Sequence, residues 1–149
     1  MTYLSPAKIN LFLHINSKRD DGYHNLQTIF QLLNFYDEIN YSVREDGKIN
    51  RALGNEDIPL ANDLMIKSAK KLQKLTGVNL GVDIRIIKKI PSGGGLGGGS
   101  SNAATTLMAL NQLWGLELTK QKLIAIGQGY WSRCSSLYRR SKLLGRGNW

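Results

Sequence analysis

Two stretches near the start of the chain alternate apolar and polar positions, as strands with one buried face do. They are "AKINLFLHI" (residues 7–15) and "LQTIFQLLNFYDEINYSV" (residues 26–43), and both are rich in β-branched and aromatic residues. The segment between them, "NSKRDDGYHN", is rich in turn-forming residues. The pattern therefore predicts an antiparallel pair of strands at the start of the fold.

In the next periodic segment, "NDLMIKSAKKLQKLTG", the apolar residues have the spacing of a helix and no longer that of a strand. Its apolar residues Met65, Ala69 and Leu72 fall on one helical face, with lysines on the other. Either Asn62 or Asp63 can cap the first turn, and Gly77 can end the last. We predict an amphipathic helix here.

A second strand and helix enclose the most unusual part of the chain. "NLGVDIRIIKKI" alternates Val82, Ile84 and Ile86 with other residues, which predicts a strand, and "SSNAATTLMALNQLWG" places Leu107, Leu110 and Trp114 at helical spacing. Between them lies "PSGGGLGGG", the glycine loop (residues 91–99). The order is strand, glycine loop, helix, without an internal repeat or an interdomain linker.

Composition and charge narrow the class of protein. A chain of 149 residues with 42% hydrophobic residues is expected to fold as one domain with a core. No apolar run is long enough to span a bilayer and the N-terminus does not resemble a signal peptide, so we expect no membrane association and a cytoplasmic location. Cys134 is the only cysteine, which excludes an internal disulfide and a cysteine metal cluster.

The net charge of +9 does not predict nucleic-acid binding. Over half of the excess lies after residue 130, where five basic residues stand without an acid. No dense basic face with interleaved aromatic residues is evident in the rest of the chain, so we expect no nucleic-acid partner.

The glycine loop predicts a phosphate site. Glycines permit positive φ and close approach of backbone amides to a ligand, and the start of a helix adds unpaired N–H groups. A flexible surface loop is the plain alternative, but the flanking strand and helix argue against it. The loop lacks the Gly-Lys-Ser/Thr ending of a P-loop, and it has neither the spacing nor the following acid of a dinucleotide fingerprint.

The stretch "PSGGGLGGGSSNAA" resembles a signature of the GHMP kinases, the superfamily of galactokinase, homoserine kinase, mevalonate kinase and phosphomevalonate kinase. Together with "PAKINLFLHI" and "DGYHNLQTIFQLLNFYDEI", it resembles the 4-diphosphocytidyl-2-C-methyl-D-erythritol kinase family within that superfamily. The resemblance implies an α+β fold like domain 2 of ribosomal protein S5. Residues 1–129 would form the N-terminal, ATP-binding domain, residues 130–149 an aberrant, poorly ordered basic tail, and the C-terminal domain would be absent.

The resemblance also implies a role for individual residues. Lys8 matches the active-site lysine, while Asn10, Tyr23 and His24 match positions that bind the substrate, with Tyr23 and His24 at the cytosine. Asp63 stands where the family commonly has an asparagine near adenine. Ser100 or Ser101 could also contact Mg²⁺ carried with the nucleotide. The residues expected to bind ATP are Asp63, Lys88, Pro91, Ser92, Gly93, Gly94, Gly95, Leu96, Gly97, Gly98, Gly99, Ser100 and Ser101.

After Gly129 the chain departs from the family pattern. The family continues with Gly-Ala-Asp-Val-Pro, whose aspartate is the catalytic base, and here Arg133 stands at that position. A guanidinium cannot accept a proton. Reading each codon from its second base permits the missing motif, so we hypothesise a frame slip near Gly129 or Tyr130. A genuinely divergent tail is the alternative.

Two functions of different classes follow. The first is an ATP-dependent kinase of the non-mevalonate isoprenoid pathway that phosphorylates the C2 hydroxyl of 4-diphosphocytidyl-2-C-methyl-D-erythritol, with the present chain inactive. The second is a non-catalytic nucleotide-binding fragment. Another GHMP kinase, such as mevalonate kinase, is a further alternative, although "GYHNLQTIFQ" argues against it. A homodimer is expected to form through apolar surface that the missing domain leaves uncovered.

Overall fold

The computed structural model describes residues 1–18 and 24–128 of the chain. Strands and helices alternate in the way expected for an α+β fold. In chain order the described elements are β1 (Thr2–Lys18), β2 (His24–Arg44), β3 (Ile49–Leu53), α1 (Leu64–Thr76), β4 (Gly81–Ile87), α2 (Gly98–Leu113) and α3 (Lys120–Gln128).

The strands form a mixed sheet in the order β1-β2-β4-β3. Strands β1 and β2 pair antiparallel, which confirms the predicted early sheet, and β2 also pairs antiparallel with β4. Strand β3 lies parallel to β4 and reaches it through α1, since parallel neighbours need a crossover connection. The glycine loop leaves the sheet at the end of β4, next to the central strand β2.

Helix α1 has the termini that its sequence predicts. Asp63 is the N-cap and accepts hydrogen bonds from the amides of Met65 and Ile66. Gly77 ends the helix in the left-handed conformation with φ of 68°, a conformation that glycine adopts without strain.

The core lies between the sheet and the helices. Ile39 and Tyr41 of β2 and the predicted inward residues of β4 are buried against apolar residues of α1 and α2. Met65, Ala69, Leu72, Leu107, Leu110 and Trp114 are all buried, as predicted. Arg85 and Ile87 of β4 are exposed, so the alternation along this strand is also confirmed. The indole of Trp114 donates to the carbonyl of Gly81, at 3.3 Å, which joins α2 to β4.

The hairpin of β1 and β2 carries apolar side chains that this chain leaves in solvent. Leu11 is 60% exposed, and Ile9, Leu32 and Phe35 are each about 40% exposed. The expected uncovered apolar surface is therefore present, while the homodimer stays a prediction. Among the described residues, no helix is both long and apolar enough to cross a bilayer.

Candidate functional site

The glycine loop joins β4 to α2 and takes the conformation that its glycines allow. Gly93, Gly95 and Gly97 have φ values of 81°, 70° and 73°, in the left-handed region where other residues are strained. Gly97 is the N-cap of α2 and no side chain caps this end in the described part of the chain. The first backbone bond of the helix runs from Ser101 to Gly97, at 2.9 Å, so the amides of residues 98–100 lack an intrahelical acceptor.

A cleft of about 300 Å³ opens between the glycine loop and the start of α1. One wall is the loop with the first turn of α2, and the other is the segment that leads into α1. The residues that line it are Asn55, Ile58, Asn62, Asp63, Leu64, Met65, Lys88, Pro91, Ser92, Gly93, Gly94, Gly95, Leu96, Gly97, Gly98, Gly99, Ser100 and Asn102. The N-terminus of α2, which has no side-chain cap in the described part of the chain, favours an anionic ligand, whereas the N-terminus of α1 is already capped by the carboxylate of Asp63.

Lys8 lies against the glycine loop. Its amide donates to the carbonyl of Leu96, at 2.9 Å, where the register of β1 against β2 shifts between Pro6 and Lys8. A Cβ on Gly97 would lie 3.1 Å from Cγ and Cε of Lys8. The ammonium donates to Oδ1 of Asn10, at 3.2 Å, so these two residues share a strand face as predicted.

A buried carboxylate, which the sequence did not single out, holds the base of the loop. Asp37 of β2 is fully buried and accepts from Lys88 Nζ at 2.6 Å and from the amides of Lys89 and Ile90 at 2.7 and 2.8 Å. Nδ2 of Asn102 in α2 donates as well, at 2.9 Å. Burial raises the pKa of Asp37, but the hydrogen bonds from Ile90, Lys88, Lys89 and Asn102 outweigh it and lower the pKa overall.

The two serines after the loop lie in different environments. Ser101 is buried and its hydroxyl is 2.9 Å from the buried hydroxyl of Ser5, which donates to it. Ser100 lines the cleft, whereas Ser101 does not. Ser100 is therefore the better placed of the two to meet a ligand, and Ser101 joins α2 to β1.

Asp63 also lines the cleft, but its carboxylate is already engaged. Oδ1 caps α1, and Oδ2 accepts from Arg51 and from Asn55 Nδ2, each at 3.1 Å. Arg51 donates from the same nitrogen to the carbonyl of Ile58, at 2.7 Å. These bonds hold the segment between β3 and α1, so an adenine contact through Asp63 would have to share an oxygen with them.

Some of the predicted site residues lie outside the part of the chain that the structure describes. Tyr23 and Arg133 fall outside the described residues, as does the tail from residue 130. His24 begins β2 and pairs with Lys18 along the backbone, but its side chain is not among those described. Among the described residues no group of three or more His, Cys, Asp or Glu side chains could hold a metal ion.

Comparison with known proteins identifies the domain. A family model described as the GHMP kinases N terminal domain matches residues 63–132. A protein of Ruthia magnifica subsp. Calyptogena magnifica, named 4-diphosphocytidyl-2-C-methyl-D-erythritol kinase, is 61% identical over 126 residues, which are 85% of this chain and 44% of that protein. A protein of Cupriavidus metallidurans with the same name is 50% identical over 123 residues, covering 83% of this chain and 42% of the relative. The chain thus spans less than half the length of these curated relatives.

Solved structures agree with this assignment. A crystal structure of 4-(cytidine 5'-diphospho)-2C-methyl-D-erythritol kinase superposes with a TM-score of 0.72 at 34% identity, covering 87% of this chain and 45% of the other. A mevalonate kinase crystal structure superposes with a TM-score of 0.63 at 18% identity, which shows a shared fold alone. The predicted fold class is thereby confirmed, and the chain carries a GHMP kinase N-terminal domain.

Proposed function

We propose that the cleft beside the glycine loop binds ATP. The observation that carries this proposal is the start of α2, where the amides of residues 98–100 have no intrahelical acceptor and no side-chain cap among the described residues. Backbone amides at a helix N-terminus bind phosphate well, because the partial positive charge of the helix end adds to their hydrogen bonds. The three left-handed glycines let the loop present its backbone to the triphosphate.

The residues of the cleft fit a nucleotide in two further respects. Oδ1 of Asn102 is buried and has no hydrogen-bond partner in the described part of the chain, so it can accept from a ligand. The ammonium of Lys88 lies 3.4 Å from the place where a Cβ on Gly98 would be, beside the first turn of α2. A positive charge there would favour phosphate oxygens.

The described residues do not by themselves form a magnesium site. The carboxylates of Asp37 and Asp63 are buried and already hydrogen bonded, which leaves the hydroxyl of Ser100 as the candidate ligand at the cleft. We propose that Mg²⁺ binds chiefly through the phosphates of ATP, because this ion usually keeps several water ligands and takes few ligands from the protein.

The reaction proposed for the protein is phosphorylation of the C2 hydroxyl of 4-diphosphocytidyl-2-C-methyl-D-erythritol, a step of the non-mevalonate isoprenoid pathway. The names of the relatives support it. Lys8 would stabilise charge on the transferring phosphoryl group, from a strand held against the loop by the bond to Leu96. Asn10 would bind the substrate, and Tyr23 and His24 would bind its cytosine. An aspartate at the position of Arg133 would accept the proton of the hydroxyl.

Phosphoryl transfer needs a positioned group that accepts the proton of the attacking hydroxyl. Arg133 stands at that position and cannot accept a proton, so the present chain should not turn over. We would measure ATP affinity and ADP formation with the cytidylyl substrate for this chain and for a frame-restored, full-length protein. The proposal expects ATP binding by both and turnover by the restored protein alone. Turnover by the present chain within about tenfold of the restored protein would contradict the role assigned to the missing aspartate.

A non-catalytic nucleotide-binding fragment is the second candidate, and it makes a different prediction. ATP binding without ADP formation in the restored protein would favour it. Turnover of mevalonate in place of the cytidylyl substrate would favour the further alternative. Absence of ATP binding in both proteins would contradict the nucleotide site itself.

A further inference from the structure

The Asp37 cluster (Asp37, Lys88, Lys89, Ile90 and Asn102) joins three segments through one buried carboxylate. Both oxygens are used: Oδ1 accepts from the amides of Lys89 and Ile90, and Oδ2 accepts from Lys88 Nζ and Asn102 Nδ2. The donors come from the chain that enters the glycine loop and from the helix that leaves it. One side chain of β2 therefore fixes both ends of the loop.

A carboxylate at this position carries a large desolvation cost, which suggests a task beyond core packing. Ile39 and Tyr41 occupy the same face of β2 and are ordinary apolar core residues, while Asp37 is equally buried. A buried charge is tolerated only where it is paired and hydrogen bonded. Glycines leave a loop with many accessible conformations, so fixed bonds at both ends restrict where its amides can lie.

We propose that Asp37 is a positioning residue that sets the glycine loop and the ammonium of Lys88 in the geometry that binds nucleotide. The proposal rests on the proposed ATP site. Lys88 is 23% exposed and lies beside Gly98, and its bond to Asp37 orients it toward the start of α2. Asp37 itself does not line the cleft and would not touch the phosphates.

Two physical effects of Asp37 on ATP binding have opposite signs, and this separates positioning from simple electrostatics. A negative charge close to the phosphate site repels ATP, so charge alone predicts that Asp37→Asn tightens binding. When the asparagine oxygen keeps the bonds from the amides of Lys89 and Ile90, the substitution also turns an NH2 group toward Lys88 Nζ, which can only donate, so the bond from Lys88 is lost. Positioning therefore predicts weaker binding despite the more favourable charge.

The test compares Asp37→Asn with Glu38→Gln in the full chain. Glu38 is the neighbouring carboxylate, partly exposed and paired with Lys89 Nζ, so its substitution removes the same charge without touching the cluster bonds of Asp37. We expect Asp37→Asn to weaken ATP binding about tenfold in calorimetry, as loss of charge-assisted hydrogen bonds would, and Glu38→Gln to stay within about twofold. Equal or tighter ATP binding by a folded Asp37→Asn protein would overturn the proposal.

Amide hydrogen exchange without nucleotide tests the same inference independently of ATP. We expect the amides of Lys89 and Ile90 to exchange on the order of tenfold faster in Asp37→Asn, with faster exchange through residues 93–99 as well. If the wild-type chain does not bind ATP, the proposed function fails but the exchange still decides the positioning role. Unchanged exchange in the Asp37→Asn protein would overturn it.

If the Asp37→Asn protein does not fold, a second variant, Asn102→Ala, tests the same inference. Asn102→Ala removes one of the four donors and keeps the carboxylate charged. Because Oδ1 of Asn102 is itself proposed to meet ATP, the deciding measurement is amide exchange without nucleotide, which we expect to be about threefold faster at the start of α2. Unchanged exchange in this variant would overturn the proposal as well.

Discussion

The amide of Lys8 and the carbonyl of Leu96 form a 2.9 Å hydrogen bond that ties strand β1 to the middle of the glycine loop. The backbone of Lys8, the candidate catalytic lysine, is thus bonded to the loop, and the side chain of Lys8 packs against Gly97. The positions of Lys8 and of the glycine loop are therefore coupled, and a change in the loop conformation should displace Lys8.

Substitution of Gly97 should impair ATP binding more than it impairs stability. With φ of 73°, Gly97→Ala should cost about 1–2 kcal/mol of unfolding free energy, and its Cβ would press on the Lys8 side chain. We expect a further loss of about tenfold in ATP affinity, because the loop must move to relieve the contact. Urea denaturation and calorimetry measure the two effects.

Gly77→Ala is the matched control for that experiment. Gly77 has nearly the same φ, 68°, and open space where an added methyl group would lie, but it caps the end of α1 opposite to the end that meets the cleft. Equal losses of ATP affinity in the two alanine variants would contradict the assignment of the loop. The double variant Gly97→Val/Gly98→Val should abolish ATP binding, since Gly98 faces Ile90 and Lys88 closely.

Replacement of Lys8 should remove turnover and leave the fold unchanged. In the frame-restored protein, Lys8→Ala should lower kcat on the order of a hundred- to thousandfold, as loss of one charge-stabilising group does. The side chain is half-buried and its ammonium pairs with Asn10, so the melting temperature should change little. Lys70→Ala, an exposed lysine of α1, is the control and should retain full activity. Wild-type kcat in the Lys8 variant would refute its role.

The stability of the domain should fall in acid through Asp37. Its native pKa lies below the ordinary value, so the charged form is favoured by folding. The contribution is present above the pKa of about 3.9 expected in the unfolded chain, and it is lost as the pH falls through the lower native pKa. The ionisable partner described for Asp37 is Lys88, at 2.6 Å.

Urea denaturation from about pH 6 to about pH 3 measures that dependence. The Asp37→Asn variant should lose less stability over this interval than the wild-type chain, because its side chain does not titrate. An equal pH dependence in the two proteins would show that other carboxylates dominate acid unfolding.

Loss of the Asp63 carboxylate should destabilise the domain more than loss of a helix cap alone. A missing N-cap costs about 1 kcal/mol, and Asp63→Ala also leaves the nearly buried guanidinium of Arg51 without its acid, so we expect about 2–4 kcal/mol in total. Asp63→Asn should cost less, since asparagine caps helices well. A double-mutant cycle with Arg51→Met should give a coupling of about 1–3 kcal/mol, and near-additive losses would contradict the pair.

The elements were predictable because local pattern and tertiary structure agree in this domain. Met65, Ala69 and Leu72 repeat at helical spacing and Gly77 follows them, so α1 could be bounded from the sequence. The strand before the glycine loop and the helix after it could also be predicted, while the anion site between them stays a prediction. In these segments each side chain's local preference matches its place in the fold.

The Asp37 cluster could not be predicted, because its members are far apart in the sequence. Asp37 stands in an alternating strand where a charged residue is expected to face solvent, and its partner Asn102 is 65 residues away. The separate environments of Ser100 and Ser101 were equally hidden, since only the packing of α2 on β1 turns Ser101 toward Ser5. When a polar side chain is buried by a segment far away in the sequence, the local pattern of apolar and polar residues does not predict that burial.

The hydrogen bond between Ser5 and Ser101 spans 96 residues and has a consequence for synthesis on the ribosome. The first strand leaves the exit tunnel long before the helix that completes its packing has been translated. At about 5–20 residues per second, this interval is roughly 5–20 s, during which the inward face of the hairpin, with Ile39 and Tyr41, has no helix to cover it. Nascent chains of this domain should therefore bind a chaperone through that face until α2 emerges.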